Sequence, residues 1–238
     1  MFWSSKNIKH INVDIHSHLI PGIDDGAPTL EKSLVMIQHF HELGYKKLIT
    51  TPHIHPRYPN SKNRIHEGLK KLKRELKNIH LSIEIEAAAE YYADDVFINK
   101  VKRKEELLTF GDNYILIECS FVTKPLFFES VIFSLKELGY NPVFAHPERY
   151  KFLEGDITWL RELKSTGVMF QVTLGSIGGY YGQIPQKLGI ELIKNEMVEL
   201  LGSDLHKPSQ IEYLKKGLKS KSVQNLLKSG SLLNDKLI

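Results

Sequence analysis

Short apolar runs rich in β-branched residues alternate along this chain with longer segments in which apolar residues recur every three or four positions. The short runs are typical of buried strands and the longer segments of amphipathic helices. Seven strand-then-helix units are predicted, with strands at residues 11–15, 47–50, 82–88, 114–117, 142–145, 168–172 and 198–201. This alternation predicts a parallel sheet whose strands are connected by helices.

Helical spacing is clearest in two segments. The first begins at Leu30, with Thr29 as the expected N-cap and Gly44 as the stop. The second, over residues 62–77, predicts a basic amphipathic helix. Further helices are expected at about 125–138 and 186–195.

Polar residues at the strand ends help to choose between two ways of arranging the sheet. Six of the seven predicted strands end in His, Asp or Glu. In an open, doubly wound sheet only the strands beside a switch point contribute to a site. In a barrel, all the carboxyl ends of the strands face one mouth. We therefore predict one α/β domain over residues 1–238, a TIM-like barrel of seven β/α units with its site at that mouth.

The composition indicates which partners and which cellular location to expect. The chain has 238 residues, is 42% hydrophobic and carries a net charge of +4, which favours anionic partners only slightly. No apolar run approaches the ~20 residues of a membrane span, and the N-terminus has no hydrophobic signal core. The single cysteine, Cys119, allows no internal disulfide. We expect a cytoplasmic protein that has no membrane span and does not bind nucleic acid.

The His-x-His pair after the first strand is the first sign of chemistry. Alternate residues of a strand point the same way, so His16 and His18 can aim both imidazoles at one point. A few residues later, the acidic loop Asp24-Asp25-Gly26 returns toward that point. Asp25 is the expected ligand, and Asp24 is expected to serve the turn.

Histidine and carboxylate side chains also follow other predicted strands. Each alone has an ordinary explanation, such as a loop hydrogen bond or a helix cap. Together they would crowd one barrel mouth with charges and imidazoles, which a cation must compensate. The sequence therefore predicts a metal site. Its candidate ligands are His16, His18, Asp25, His53, Glu90, Glu118, His146, Asp204 and His206.

The type of ligand indicates the type of ion. Histidine and carboxylate ligands without thiolate suit Mn, Fe or Zn better than a structural zinc-thiolate site. Nine groups exceed the four to six ligands of one ion, so at least two ions are expected. Paired ions commonly serve in-line displacement at phosphorus.

Several motifs resemble the polymerase-and-histidinol-phosphatase (PHP) superfamily. They are Asp-Ile-His-Ser-His, Asp-Asp-Gly, Thr-Pro-His, Ala-Glu-Tyr-Tyr, Ala-His-Pro-Glu-Arg-Tyr and Ser-Asp-Leu-His, in this order between residues 12 and 206. More narrowly, they are similar to bacterial protein-tyrosine phosphatases of capsule and exopolysaccharide operons. The resemblance implies a phosphoric monoester hydrolase with a distorted seven-stranded barrel and a trinuclear site. Manganese is its typical metal, with Fe, Zn or Mg as alternatives. The implied substrate is the Tyr-rich C-terminal tail of a tyrosine autokinase.

The resemblance also implies roles for single residues. It places one ion among His16, His18, Glu90 and Asp204, a second with Glu90, Glu118 and His146, and a third with Asp25, His53 and His206. Arg149 matches the arginine that holds the phosphate, and a guanidinium fork suits phosphoryl oxygens. Its alternative is a surface ion pair with Glu148. His206 or His53 is the candidate general acid.

One family feature is missing. Many members carry a second arginine after the last Asp-x-His, where this chain has Lys207. Lys207 or Arg57 is a candidate replacement. His55 has no ligand position in the pattern and is expected to lie outside the ligand set.

The sequence also leaves three other functions open. Histidinol-phosphate phosphatase shares most ligands, but the resemblance suggests histidine in those enzymes where this chain has Asp25 and Glu118. A metal-dependent nuclease would use the basic helix over residues 62–77, and an inactive binding module is the third alternative. A cysteine-dependent phosphatase is excluded because Pro125 stands six residues after Cys119, where the Cys-x5-Arg motif requires arginine.

Overall fold

The computed structural model describes residues 9–153 and 155–238, and these form nine strands and nine α-helices. The strands are β1 (Val13–Asp14), β2 (Lys47–Thr50), β3 (His53–Ile54), β4 (Glu84–Ala87), β5 (Glu90–Tyr92), β6 (Tyr114–Glu118), β7 (Asn141–Ala145), β8 (Met169–Thr173) and β9 (Leu200–Gly202). The helices are α1 (Leu30–Glu42), α2 (Lys62–Asn78), α3 (Asp95–Lys102), α4 (Phe128–Glu137), α5 (Thr158–Ser165), α6 (Leu174–Ile177), α7 (Gln183–Lys194), α8 (Ile211–Lys219) and α9 (Lys221–Ser229). Among the helices of the described residues, none is both long and apolar enough to cross a membrane.

Helix ends follow the local sequence. Thr29 caps α1 by accepting from the backbone N–H of Lys32 at 3.3 Å, and Gly44 follows the helix with φ +90°, as predicted. The helix expected from residue 125 begins later, with α4 at Phe128. The helix expected from residue 186 begins earlier, immediately after Gly182.

The strands pair in parallel throughout the described sheets, as the alternating pattern predicts. The predicted α/β architecture with parallel strands is confirmed, but the strands number nine among the described residues rather than the seven predicted. The strands form a three-stranded sheet, β1-β2-β4, and a six-stranded sheet, β3-β5-β6-β7-β8-β9. Two of the strands are followed, after a break of two residues, by a second short strand: β2 by β3 after residues 51–52, and β4 by β5 after residues 88–89. Pro52 lacks the N–H that a continuing ladder requires.

The first and last strands lie side by side at the end where the polar residues gather. Ser17 forms a parallel bridge with Leu205. The backbone N–H of Asp204 donates to the carbonyl of His16 at 2.7 Å, and the N–H of His18 donates to the carbonyl of Leu205 at 3.0 Å. Residues nearly 190 positions apart in the chain are thus fixed next to each other.

Buried apolar side chains form two clusters. The larger one lies between strands and helices and includes Phe40, Phe144 and Leu192. The smaller one joins six residues of five strands with four residues that lie outside the strands: Val13, Ile49, Leu116, Val143, Ala145 and Leu200, with Ile15, Ala88, Phe110 and Leu237.

Candidate metal centre

All nine side chains predicted from the strand ends lie together. Four belong to strand starts or ends near the break between the sheets: His16 and His18 follow β1, His53 opens β3, and Glu90 opens β5. The others are Asp25 in the loop before α1, Glu118 at the end of β6, His146 after β7, and Asp204 and His206 after β9.

Their nitrogen and oxygen atoms form four groups, each with its atoms within 4.8 Å of one another. The groups are His18-Asp25-His53-His206, His16-His18-Asp204, His16-Glu90-His146 and His53-Glu90-Glu118. His16, His18, His53 and Glu90 each belong to two groups. The four groups therefore form one continuous cluster of nitrogen and oxygen atoms rather than separate sites.

Glu90 lies in the middle of this cluster and is fully buried. Its Oε2 atom lies 3.2 Å from His16 Nε2, 3.4 Å from His18 Nε2 and 3.1 Å from His53 Nδ1. Among the described residues no hydrogen bond reaches this oxygen, whereas Oε1 lies 2.9 Å from His146 Nε2. A buried carboxylate oxygen that faces three imidazole nitrogens without a hydrogen bond is suited to a cation.

The two most buried carboxylates of the cluster are ionised. Burial alone would raise the pKa of Glu90, but His16 and His53 hold it well below its usual range. Burial acts the same way on Asp204, and the neighbouring Arg149 and His16 hold its pKa well below the usual range. Two buried negative charges thus face the same group of imidazoles.

Hydrogen bonds behind the cluster fix two of the imidazole rings. His16 Nδ1 lies 2.7 Å from Gln171 Oε1, and His18 Nδ1 lies 2.9 Å from Asp24 Oδ2. Because both partners are acceptors, the protons reside on the Nδ1 atoms. The Nε2 atoms, which are 3.3 Å apart, are then the nitrogens that would present lone pairs to a bound cation.

Asp24 has a larger role than the turn expected from the sequence. Its Oδ1 accepts from the N–H of Gly26 at 3.0 Å, which is the turn, while its Oδ2 also accepts from the N–H of His53 at 3.1 Å. The turn requires glycine: a Cβ at position 26 would lie 2.3 Å from the Cβ and carbonyl oxygen of His18. The Asp-Asp-Gly loop is therefore packed directly against the histidines that it helps to orient.

Asp25 and two histidines form the outer side of the cluster. Asp25 Oδ1 lies 3.3 Å from His53 Nε2 and 3.5 Å from His206 Nε2. Hydrogen bonding to His206 and His53 lowers the pKa of Asp25. His206 Nδ1 lies 3.0 Å from the backbone carbonyl of Asp204, so that nitrogen carries a proton, and Nε2 is the nitrogen that faces Asp25.

Glu118 and His146 form the opposite side. Glu118 Oε1 lies 3.0 Å from His53 Nδ1, and its Oε2 lies 3.9 Å from His146 Nε2. Burial and then the charge of Arg149 lower the pKa of His146, which keeps the imidazole neutral and able to donate a lone pair. His146 has φ +36° and Asp204 has φ +50°, a left-handed conformation that is uncommon outside glycine and clusters at functional sites.

Arg149 stands beside the cluster, where the resemblance to phosphatases expects it. Its Nη1 pairs with Asp204 Oδ2, and its guanidinium lies 4.7 Å from the ring centroid of Phe121 and 4.1 Å from that of Tyr181. It also lines an open depression of about 610 Å³. The alternative ion pair with Glu148 was wrong, since that buried carboxylate accepts from the N–H of Thr173 at 2.9 Å.

Three residues that sequence reasoning left open lie apart from the nine. Lys207 is exposed, with Nζ 6.0 Å from the ring centroid of Tyr180, and Arg57 is exposed. Within the described residues, neither side chain forms an ion pair with the cluster. His55 packs its ring 4.3 Å from that of Tyr92 and is not a member of the four groups.

Cys119 is fully buried at the end of β6 and unpaired. Burial raises the pKa of its thiol, which disfavours the thiolate that a cysteine nucleophile needs.

The side chains present fit divalent metal ions. The cluster offers five imidazoles and four carboxylates, and the described residues bring no thiolate into its four groups. Such nitrogen and oxygen ligands suit Mn, Fe or Zn. His53 Nδ1 and His146 Nδ1 are buried and, like Glu90 Oε2, have no hydrogen-bond partner among the described residues.

Comparison with known proteins agrees with this geometry. The family model for capsular polysaccharide synthesis, CpsB/CapC, matches residues 12–225. The chain is 28% identical over 230 residues to the putative tyrosine-protein phosphatase CapC of Staphylococcus aureus, covering 93% of this chain and 90% of that protein. It is 29% identical over 198 residues to the tyrosine-protein phosphatase YwqE of Bacillus subtilis, covering 82% and 77%.

A solved structure extends the likeness to the fold. It comes from work on YwqE of Bacillus subtilis and CpsB of Streptococcus pneumoniae, described as metal-dependent tyrosine phosphatases. The two folds superpose with a TM-score of 0.79 at 25% sequence identity, and the match covers 94% of each chain.

Proposed function

Because this chain belongs to the CpsB/CapC family of capsular polysaccharide synthesis, we propose that it is a metal-dependent tyrosine-protein phosphatase that hydrolyses phosphotyrosine. The names of its relatives and its fold similarity to metal-dependent tyrosine phosphatases support this function. The resemblance inferred from the sequence motifs is confirmed at the level of this family.

One observation carries the proposal. Glu90 Oε2 is buried, ionised and within 3.1–3.4 Å of three imidazole nitrogens, yet has no hydrogen bond among the described residues. Asp204 joins the same cluster through Oδ1 and pairs with Arg149 through Oδ2. A place for cations thus lies directly beside a guanidinium, the combination that a phosphoryl group requires.

We propose three ion positions within the cluster. His16, His18, Glu90 and Asp204 would hold the first; Glu90, Glu118 and His146 the second; and Asp25, His53 and His206 the third. We propose Mn²⁺ as the native metal, with Fe, Zn or Mg as alternatives that metal analysis would identify. Such ions, when bound, lower the pKa of water and neutralise the charge of a phosphoryl group.

The protein side chains then bind and orient the substrate. Arg149 is only partly buried and faces the open depression, so its fork can grip two non-bridging phosphoryl oxygens. The aromatic rings of Phe121 and Tyr181 limit the positions that the guanidinium can adopt.

The leaving group requires little general acid catalysis. A tyrosine phenol has a pKa of about 10, so the departing oxygen needs little help from an acid. His206 or His53 is the proposed donor, because both lie on the outer side of the cluster with partly exposed side chains.

The proposal extends to the substrate, the cellular location and the domain organisation. We propose the Tyr-rich tail of a tyrosine autokinase as the substrate and the cytoplasm as the location, which the unpaired thiol of Cys119 supports. We also propose a single catalytic domain over residues 1–238.

We propose, further, that the two sheets close into one distorted seven-stranded barrel. The Ser17–Leu205 bridge joins the first strand to the last, and the N–H of Glu90 donates to the carbonyl of Pro52 at 3.2 Å across one strand break. The smaller apolar cluster fits the interior of such a barrel, because inward-facing residues of a closed barrel form a core of their own.

The test is hydrolysis of a phosphotyrosyl peptide by the purified protein. We expect activity that a chelator abolishes, that Mn²⁺ restores and that thiol reagents leave unchanged. Cys119→Ala should retain activity. Turnover that survives complete removal of metal would overturn the proposal.

Two parallel substrates separate the alternatives. A higher rate on histidinol phosphate than on the phosphotyrosyl peptide would indicate a small-molecule phosphatase. Cleavage of DNA, with steeply salt-dependent binding, would indicate a nuclease.

A further inference from the structure

Tyr181 contacts both the proposed phosphate-binding residue and a proposed metal ligand. It lies in the loop between α6 and α7, with its ring 4.1 Å from the Arg149 guanidinium. Its hydroxyl lies 3.1 Å from Asp204 Oδ2. A single side chain thus connects the two functional parts of the site.

The contact with Asp204 is important because the two carboxylate oxygens of this residue face different parts of the site. Oδ1 lies 3.4 Å from His16 Nε2 and 3.5 Å from His18 Nε2, on the side of the metal cluster. Oδ2 accepts from Arg149 and from Tyr181. Any rotation of the carboxylate would disturb both sides at once.

A second hydrogen bond sets the direction of the Tyr181 hydroxyl. The buried Gln210 donates its Nε2–H to the hydroxyl oxygen at 3.4 Å. Its Oε1 accepts from the backbone N–H groups of His206, at 2.7 Å, and Lys207, at 3.0 Å. Because those two bonds fix the amide orientation, the hydroxyl proton must point to Asp204.

The loop holds Tyr181 at a defined place. Gly179 and Gly182 flank the two tyrosines with φ +89° and +93°, values that side chains rarely allow. Tyr180 packs edge-on against Tyr181, with ring centroids 4.8 Å apart, and against Tyr213 at 5.2 Å. Within the described residues the Tyr180 hydroxyl makes no hydrogen bond, which makes Tyr180 a matched control.

We propose that Tyr181 is a positioning residue: its hydroxyl holds Asp204 for the metal ion and its ring holds Arg149 for the phosphoryl group. The roles assigned to these two contacts, metal binding and phosphate binding, rest on the proposed function. Its measurable consequences are binding constants, which do not require turnover.

Two substitutions separate the two contacts. Tyr181→Phe removes the hydroxyl but keeps the ring, whereas Tyr181→Leu removes both. By calorimetry on protein stripped with a chelator, we expect each variant to bind Mn²⁺ about tenfold more weakly, since lost partners of metal ligands cost about 10–100-fold. With Mn²⁺ bound, only Tyr181→Leu should bind inorganic phosphate about three- to tenfold more weakly, through the lost ring–cation contact.

Tyr180→Phe is the control and should leave both affinities unchanged. Thermal unfolding of the metal-free variants shows whether each is folded. Equal affinities for all three variants and the unmodified chain would overturn the inference. Equal loss of phosphate binding in Tyr181→Phe and Tyr181→Leu would also overturn it, because the ring would then have no role of its own. Failure of phosphotyrosine hydrolysis would count against the proposed function alone.

Discussion

Gln171 holds His16 from behind: its Oε1 lies 2.7 Å from Nδ1 of the imidazole, and both side chains are completely buried. Gln171 also donates its Nε2–H to Thr173 Oγ1 at 3.3 Å, which directs the amide oxygen to the ring. Gly202 leaves room for this pair, because a Cβ there would lie 2.7 Å from the Cβ of His16 and 2.8 Å from Gln171 Nε2. Strands β8, β9 and the end of β1 therefore cooperate to orient one imidazole.

Replacing this amide should weaken metal binding without removing a proposed ligand. Gln171→Leu leaves His16 Nδ1 without an acceptor, so the ring is free to change tautomer and tilt. We expect Mn²⁺ affinity to fall about 10–100-fold. Gln171→Glu keeps an acceptor at the same place and should lose less. Calorimetric titration of the metal-free variants with Mn²⁺ measures both.

A matched control for this change is Gln224→Leu. Gln224 is also a buried amide, and it donates to the carbonyl of Leu218, away from the nine side chains. Its loss should lower the free energy of unfolding but leave Mn²⁺ affinity within twofold. If Gln171→Leu bound Mn²⁺ as tightly as the unmodified chain, the orienting role of Gln171 would be disproved.

Asp24→Asn tests the acidic loop. Oδ2 of the carboxylate accepts from His18 Nδ1 and from the N–H of His53, and Oδ1 accepts from the N–H of Gly26, so the amide must turn its NH₂ group toward one of these donors. We expect a loss of about tenfold or more in Mn²⁺ affinity. Asp156→Asn is the control, since Asp156 likewise accepts from a backbone N–H, that of Thr158, at an exposed helix start. Unchanged metal affinity in Asp24→Asn would reduce Asp24 to a turn residue.

Arg149→Lys tests the geometry of phosphate binding. Lysine keeps the charge but loses the planar fork and the stacking between Phe121 and Tyr181. We expect KM for a phosphotyrosyl peptide to rise about tenfold or more, with Mn²⁺ affinity changed much less. Arg161→Lys on the exposed face of α5 is the control and should leave both unchanged. An unaltered KM in Arg149→Lys would remove Arg149 from the proposed phosphate site.

The sequence predicted the strand-end residues because their position follows from the alternation of strands and helices. It did not predict Gln171, which lies inside β8. Alternation indicates that such a residue faces inward, but gives no sign that it meets His16, 155 positions earlier. Tyr181 stood in a loop already notable for glycine and tyrosine, but its contact with Asp204 depends on how α6 and α7 are placed.

The breaks between β2 and β3 and between β4 and β5 also depend on contacts that the local sequence does not reveal. Pro52 was present in the motif that ends the second predicted strand, but the pairing that resumes at His53 with β5 depends on Glu90, far along the chain. The break at residues 88–89 carries no such residue, because alanine fits a strand or a loop. Sequence patterns therefore predicted which side chains lie together more accurately than they described the strands that carry them.

Glu90→Gln is the most direct test of the metal cluster. The change keeps the size of the side chain but removes the charge, and it turns either an N–H or a neutral oxygen toward the imidazoles of His16, His18 and His53. For the unmodified chain, Mn²⁺ at 100 times its Kd should raise the free energy of unfolding by about 2.7 kcal/mol over the chelated protein. For Glu90→Gln we expect less than half of this gain at the same Mn²⁺ concentration, measured by urea denaturation. Glu162→Gln, an exposed change on α5, should keep the full gain. If Glu90→Gln also kept it, the ions would bind without the central carboxylate, and the proposed arrangement of ligands would have to be abandoned.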